Sequence, residues 1–597
     1  MLMFSNSTRE SISVPQPTPE NLLDRLDELK RPTGAHGRAL LRSALVEAAR
    51  REFDAASSLI RFHEILVFLR AYPQSKALLR QTEKILSSFK ARVDRLREAG
   101  AEDFYEFADP QVSGVAGTYL SAVFGYDITR WLAAHAPSRV RLNWEGYEET
   151  WQLASVLSLL LPLLEEEAYV ENHFPQEALL RAARNEGESE LAWLLRGFEC
   201  LNVSDRERAA LFESLKLAVH WELGNSTAIR TRTLRRVRKI FYHDAPMLAR
   251  RDVSIARELE DRTPLPVEKL ARAEARKLLD AGRETMTVRY RELHGFTYGD
   301  PRTVRRADVG RGVELLLWGV PAPRRLPTLA YNAVLILKNG VPCGYAEALT
   351  LFERAEVGLN LFYTFRDGES AWVFARVLRL FRQMLGARVF SIEPYQLGAS
   401  NEEGIESGAF WFYRKLGFRP IVPRLAKLAA REDRRIATRP GYRTNARTLR
   451  ELAEGHALYE TQPSTPGEWD GFHIRNLTLA VARRMSRQHG GDAERARRES
   501  VETVSRALGI RPARWSDDER RSLENFSLLL ALVPDLSSWT KVEKEAVVRV
   551  IRAKAGADEL RYLRLLQKHQ RLRREIIRLG SEKQEAGGRG RRQEASR

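Results

Sequence analysis

The dipeptide Asn339-Gly340 constrains this chain more than any other pair of residues. Asn followed by Gly tolerates φ > 0 at both centres of a tight type I′ turn, and β-forming runs flank it on each side. Tyr331 to Phe352 is therefore expected to be a β-hairpin, and a third β-run from Glu356 to Thr364 extends it into an antiparallel meander. After the Gly-containing turn Phe365-Arg366-Asp367-Gly368-Glu369-Ser370, an apolar stripe at helical spacing predicts a helix from about Ala371 to Leu385. A buried strand around Val389 to Glu393 and an aromatic helix within Ser407 to Phe418 complete the order β-β-β-α-β-α.

The aromatic helix reads Phe410-Trp411-Phe412-Tyr413-Arg414-Lys415-Leu416-Gly417-Phe418. It resembles the last helix and following strand of the GNAT superfamily of acyl-CoA-dependent N-acyltransferases, and the likeness covers roughly 90 to 130 of the 597 residues. The resemblance implies a GNAT-like mixed β-sheet flanked by helices, acetyl-CoA or another acyl-CoA as co-substrate, an amine acceptor and no metal. It also implies Tyr413 at the mouth of a splayed sheet, as the acid that protonates the departing thiolate. Candidate bases for the incoming ammonium are Glu393, near the end of the buried strand, and Glu347 in the second hairpin strand; burial would raise either towards neutrality. Asn360 and Tyr363 would line the acceptor side.

In that family the turn into the long helix usually reads Gln/Arg-x-x-Gly-x-Gly/Ala, because bare amides must approach a pyrophosphate. Here Arg366 and Ala371 take the first and last positions, and Glu369 stands where the middle glycine would, between Gly368 and Ser370. The implied cofactor-binding set is Arg366, Gly368, Glu369, Ser370 and Ala371, with a carboxylate whose charge opposes a phosphate. Glu406 replaces the Asn often found seven residues before the helix Tyr, and after Phe418 only one short strand, Arg419 to Val422, is visible. Glu393-Pro394-Tyr395-Gln396 puts polar and turn-forming groups at a strand's C-terminal edge, where open α/β sheets bind ligands. Asn401-Glu402-Glu403 has the form of a helix N-cap.

The rest of the chain reads as helical. Residues 1–20, rich in Ser, Thr and Pro with no apolar core, suggest a disordered lead and not a secretory signal. Residues 21–260 are expected to be a helical domain with no β-signal, centred on the apolar segment Trp151 to Glu166 and including helices at Pro175 to Arg184, Glu188 to Cys200 and Asp205 to Leu223. Thr231 to Lys239 is a dense basic run, either a solvated helix face with Leu234, Val237 and Ile240 buried or a phosphate grip. Tyr242-His243-Asp244 follows, most simply as structural residues. The acyltransferase-like domain spans 261–425, opening with a helix from Pro264 to Ala281 and β-like runs at Thr285 to Tyr298 and Val313 to Val320. A helical connector (426–460) and a linker (Thr461 to Gly467) lead to a small basic helical domain (468–579). Its helices are expected at Ile474 to Met485, Asp492 to Leu508, Asp517 to Leu532, Lys541 to Ala553 and Leu560 to Leu579, and a disordered basic tail (580–597) closes the chain.

Net charge is +18, and from Ile421 to Arg597 there are 38 Lys and Arg against 24 Asp and Glu. The excess thus lies in the last third, which suits an acidic partner or nucleic acid. Two cysteines, Cys200 and Cys343, exclude a disulfide framework and point to a cytoplasmic compartment. No apolar run reaches the length of a membrane span, and no P-loop, HExxH, Ser-elbow or paired CxxC motif occurs. The expected fold class is therefore multidomain α + α/β. Two functions follow: an N-acyltransferase whose helical domains select the amine, or a catalytically inactive GNAT-like scaffold that binds a polyanion through its C-terminal region.

Overall fold

The computed structural model describes residues 18–31, 34–148, 150–161, 176–232, 235, 237, 239–461 and 465–582, in two compact units. The first comprises Met1–Met247 with Thr287–Arg291; the second comprises Leu248–Met286 with Glu292–Arg597.

In the first unit the central helix is Ala56–Ala71, buried along nearly its whole length. The expected centre is displaced: the helix near Trp151 spans only Thr150–Leu157, Trp151 is exposed, and 162–175 lie outside the described residues. Leu59, Phe62, Ile65, Leu66 and Leu69 at helical spacing mark the Ala56 helix in the sequence as amphipathic, but not as the centre of the unit, because it buries polar groups too. His63 meets Glu64 (Nδ1 to Oε1, 3.0 Å) and Thr231 (Nε2 to Oγ1, 3.0 Å), and Arg230 pairs with Glu64 at 2.5 Å. Thr231 is thus a buried residue in a turn, not on a solvated helix face, while Leu234 falls outside the described residues. His243 is buried between the rings of Tyr72 and Phe241.

The absence of β-structure expected here is also corrected. β1 (Tyr119–Val123), β2 (Val140–Leu142) and β3 (Ala218–Glu222) form an antiparallel sheet in the order β1-β3-β2. β3 lies in sequence that continues the helical pattern after Asp205, but that helix stops at Ser214 and Lys216 takes φ 52°. A lysine in the left-handed region leaves no turn signature in the sequence.

In the second unit nine strands form one mixed sheet in the order β11-β12-β10-β9-β8-β7-β6-β5-β4. These are β4 (Val267–Lys269), β5 (Arg305–Gly310), β6 (Val313–Gly319), β7 (Ala330–Lys338), β8 (Val341–Leu351), β9 (Arg354–Leu361), β10 (Val389–Ile392), β11 (Arg419–Pro420) and β12 (Ala457–Glu460). Asn339 (φ 49°) and Gly340 (φ 81°) make the predicted turn, and β7-β8-β9 is the expected antiparallel meander. The Ser370–Leu385 helix, the strand β10 and the Ala409–Lys415 helix follow in the predicted order, with short helices Pro394–Leu397 and Glu402–Glu406 between the last two. Asn401 caps the second of these, its side chain accepting the Gly404 N–H at 3.1 Å.

Four expectations here fail. The stretch from Pro264 to Ala281 is not one helix: β4 forms an edge strand first, and the helix is Arg272–Thr287. Thr285 to Tyr298 is not β; the Arg272–Thr287 helix runs into its start, a helical turn, His294–Thr297, occupies its end, and after β4 the next strand begins only at Arg305. The stretch from Leu425 to Glu460 is not wholly helical, because after Pro423–Thr438 and Ala446–Leu452 the chain returns as β12 and inserts between β10 and β11, antiparallel to both. Finally, Leu560 to Leu579 is two helices, Glu559–Lys568 and Gln570–Ser581, broken at His569, whose Nδ1 accepts the Leu572 N–H at 3.2 Å. The Ile474–His489, Ala493–Leu508, Asp517–Leu530 and Lys541–Lys554 helices stand close to expectation. No described helix is long and apolar enough to cross a membrane.

Candidate functional site

The site lies where two parallel strands part. β10 pairs with β9 only through Val389–Arg354, Phe390–Ala355 and Ser391–Glu356. β9 then continues along β8 to Leu361, whereas the other chain leaves at Glu393-Pro394 for the Pro394–Leu397 helix. Alternation along each strand places Glu356 and Gly358 of β9, Ser391 and the following Glu393, and Glu347 of β8 on one face. Gly358 stands directly across from Glu347 and offers no side chain, so the gap stays open; Gln396 Nε2 comes to 3.9 Å of the position a Cβ would take there.

Tyr413 reaches this gap from the Ala409–Lys415 helix. It is buried, its ring packs edge-on against Phe374 (5.6 Å) and Phe418 (5.8 Å), and its hydroxyl donates to Gln396 Oε1 at 3.4 Å. Burial, and next the charge of Glu393, push its pKa up, so the hydroxyl keeps its proton. Glu393 is itself raised, first by burial and then by the charge of Glu356, with His456 opposing. Glu347 is raised by burial and by Glu393, against a hydrogen bond from the Tyr331 hydroxyl. Burial drives Tyr331 up as well. The structure therefore brings Tyr413, Glu393 and Glu347 into one electrostatic neighbourhood. Asn360 shares the Gly358 face, and Tyr363 is exposed just beyond β9.

Four participants were not anticipated. Glu356 is held ionised in spite of burial by His456 (3.6 Å) and Arg354 (3.3 Å), and Arg354 also donates to Ser391 Oγ at 3.0 Å. Tyr331 is the fourth. His456 precedes β12, in sequence that reads as helix; Glu356 and Arg354 open a strand whose alternation was legible but whose parallel partner was not.

The implied cofactor-binding residues surround the start of the Ser370–Leu385 helix. Arg366 pairs with Glu403, and its Nε donates to the Leu361 carbonyl at 3.3 Å. The Gly368 N–H closes a turn onto Phe365 at 3.0 Å, Ser370 Oγ donates back to the Arg366 carbonyl at 3.0 Å, and Ala371 is buried. Glu369 is turned inward with 1% of its surface exposed. It accepts from Arg311 through both carboxylate oxygens, from the Leu248 N–H at 3.1 Å, and lies 3.6 Å from Lys338 Nζ. Burial lowers Lys338 to about 8, with Glu369 opposing the shift. The carboxylate that opposes a phosphate in the sequence thus spends its charge on one buried cation, Lys338, and one partly exposed cation, Arg311. As in any helix, the first N–H groups, those of Ser370, Ala371 and Trp372, have no carbonyl to serve within the helix.

Further cations stand near that end. The Arg250–Asp252 turn packs against the Ser370–Leu385 helix, and the Lys415 pKa is lowered by burial and next by the like charge of Arg250. Among the described residues no cluster of three His, Cys, Asp or Glu side chains is placed to hold a metal ion. Comparison with family models, with curated proteins and with solved structures returns no match for this chain.

Proposed function

We propose that the second unit is an acyl-CoA-dependent N-acyltransferase acting on an amine. The observation that carries the reading is the parting of β9 and β10 with the Tyr413 hydroxyl and the Glu393 carboxylate both at the gap. In this reading Glu393 takes a proton from the acceptor's ammonium, and the freed nitrogen attacks the acyl carbonyl carbon. The carbon–sulfur bond then breaks, the thiolate takes its proton from Tyr413, and the second proton shed by the nitrogen as the amide forms returns to the Tyr413 phenolate. Glu393 is preferred to Glu347 as base because Glu347 already accepts from Tyr331. Burial, and next the charge of Glu356, itself kept ionised by His456 and Arg354, raise the Glu393 pKa, the direction that suits a base for an amine.

The inward turn of Glu369 supports acyl-CoA binding by removing the like-charge objection. The free amides of Ser370 to Trp372, and two cations, Arg250 and Lys415, close enough to repel, form surroundings that a pyrophosphate would relieve. One observation favours the inactive-scaffold reading: Arg366 is spent on Glu403. The deciding experiment is thermal stabilisation of the full chain by acetyl-CoA, about 2.7 kcal/mol at a hundredfold excess over Kd, together with thiol release across a panel of amines. A protein that neither binds acyl-CoA nor releases thiol with any amine leaves only the scaffold.

A further inference from the structure

At the end of the sheet opposite Glu393, where β9 and β10 begin and β12 ends, lies a cleft of about 550 Å³. That is within the roughly 300–1,000 Å³ of small-molecule sites. Its three carboxylates are each engaged by an arginine, two of them by the same one, and Lys and Arg side chains outnumber them along the cleft wall. Arg573 chelates Glu353 and also pairs with Glu468, Trp469 donates to Glu353 at 2.8 Å, and Glu460 is held by Arg419 at 2.5 Å and by the Gly467 N–H at 3.2 Å. The wall facing them is fixed as well. Gln567 donates to the carbonyls of Phe352 and Leu385, both at 2.8 Å, which clamps the Glu559–Lys568 helix to the sheet end.

What remains uncompensated is positive. Arg388, in the turn into β10, and Lys568 make no ion pair or side-chain hydrogen bond with any described residue, and Arg564 spends only its Nε, on the Leu560 carbonyl at 3.2 Å. Arg564 and Lys568 stand one helical turn apart, a like-charge spacing that is mutually repulsive, and both line the cleft with Arg388. Three free cations around a rigid cleft whose carboxylates are already paired match an oxygen-rich anion better than an apolar or cationic ligand.

We propose that this cleft binds a small phosphate-bearing anion through Arg388, Arg564 and Lys568. The inference stands independently of the acyltransferase reading, because it uses none of the residues at the β9–β10 gap or at the start of the Ser370 helix. Its test is calorimetric titration of the full-length chain with inorganic pyrophosphate and, separately, with AMP. Wild-type protein should bind at least one of them; tighter AMP identifies a nucleotide site, and pyrophosphate alone a site for the phosphate groups only. The double variant Arg388→Gln/Lys568→Gln, and Arg564→Gln as a second, independent variant, should each weaken binding by about tenfold or more. All three side chains are solvent-facing, so the melting temperatures should stay at the wild-type value. Lys415→Gln, at the other cationic point, should leave this affinity within about twofold. Absence of binding to both probes overturns the proposal, as does wild-type affinity in the cleft variants, or a loss confined to Lys415→Gln.

Discussion

Two regions of the second unit each shield a glutamate from water, Glu369 fully and Glu393 by about half, and they treat it in opposite ways. At the start of the Ser370–Leu385 helix, Glu369 is met by Arg311, Lys338 and the Leu248 amide. At the parting of β9 and β10, Glu393 faces another carboxylate, Glu356, and a phenol, Tyr413, and its proton affinity rises. A buried carboxylate furnished with cations supports the fold; one left short of them is held in a state that chemistry can use. Sequence alone already makes Glu393 a candidate base, but it reads Glu369 as an intruder in a ligand loop.

The comparison breaks first at Glu369. Glu369→Gln should destabilise the second unit by about 3 kcal/mol, because Lys338 remains buried, and Arg311 partly so, without their counter-charge. Adding Lys338→Met should recover much of the loss. Denaturant midpoints of the two variants decide it, and an unchanged midpoint for Glu369→Gln would mean that the pair contributes nothing to the fold. The same experiment on Glu393→Gln should show little destabilisation, since Gln replaces a group that the site already holds towards its neutral form. The next largest effect falls on chemistry. Tyr413→Phe keeps the ring against Phe374 and Phe418 but removes the proton donor, so turnover should fall by about 10² with acyl-CoA affinity nearly unchanged. A parallel loss of affinity would make Tyr413 a binding group.

How much of this was legible follows from the range of the interactions. The hairpin at Asn339-Gly340, the meander and the Ser370 helix rest on local chemistry, and sequence places them to within a few residues. Tyr413 and Glu393 were accessible for the same reason, since each sits at the end of a well-marked element. β12 was not: four residues after two Arg-rich helices carry no alternation long enough to read, and their strand character comes from pairing with β10 on one side and β11 on the other. The orientation of Glu369 was equally hidden, because its partner Arg311 lies 58 residues upstream in the loop between β5 and β6. β3 follows a left-handed Lys216, and the partition between two protein units near residue 247 leaves no Pro- or Gly-rich mark.

A pH series sharpens the contrast with a smaller signal. The Glu393 pKa is raised in the folded protein, so its favourable contribution to stability is fully present below the unfolded value of about 4.3 and is lost as pH rises through the folded value. Glu393→Gln cannot ionise, and its stability relative to wild type should therefore improve as the pH rises from about 4 to neutrality. In the proposed reaction kcat/KM should climb over the window in which Glu393 loses its proton, and the variant should lack that limb. A rising limb that survives the substitution assigns the base elsewhere, with Glu347 the next residue to change.

The smallest expected effect tests the point at which the two regions meet a ligand. Arg366 and Glu403 form an ion pair with 36% and 41% of their side chains exposed, and such pairs contribute about 0–1 kcal/mol. Glu403→Gln should accordingly leave the melting temperature almost unmoved. If Arg366 is one of the groups that meets the acyl-CoA pyrophosphate, the pair competes with the ligand for the guanidinium, and releasing it should tighten acyl-CoA binding by a few-fold. Arg366→Gln should then abolish that gain in the double variant while costing little in wild type, where the guanidinium is already engaged. Titrating acetyl-CoA into the four proteins of this cycle measures the coupling directly. Additive effects would remove Arg366 from the ligand and leave the amides at the head of the Ser370 helix, with Arg250 and Lys415, as the groups available to a phosphate at that end of the fold.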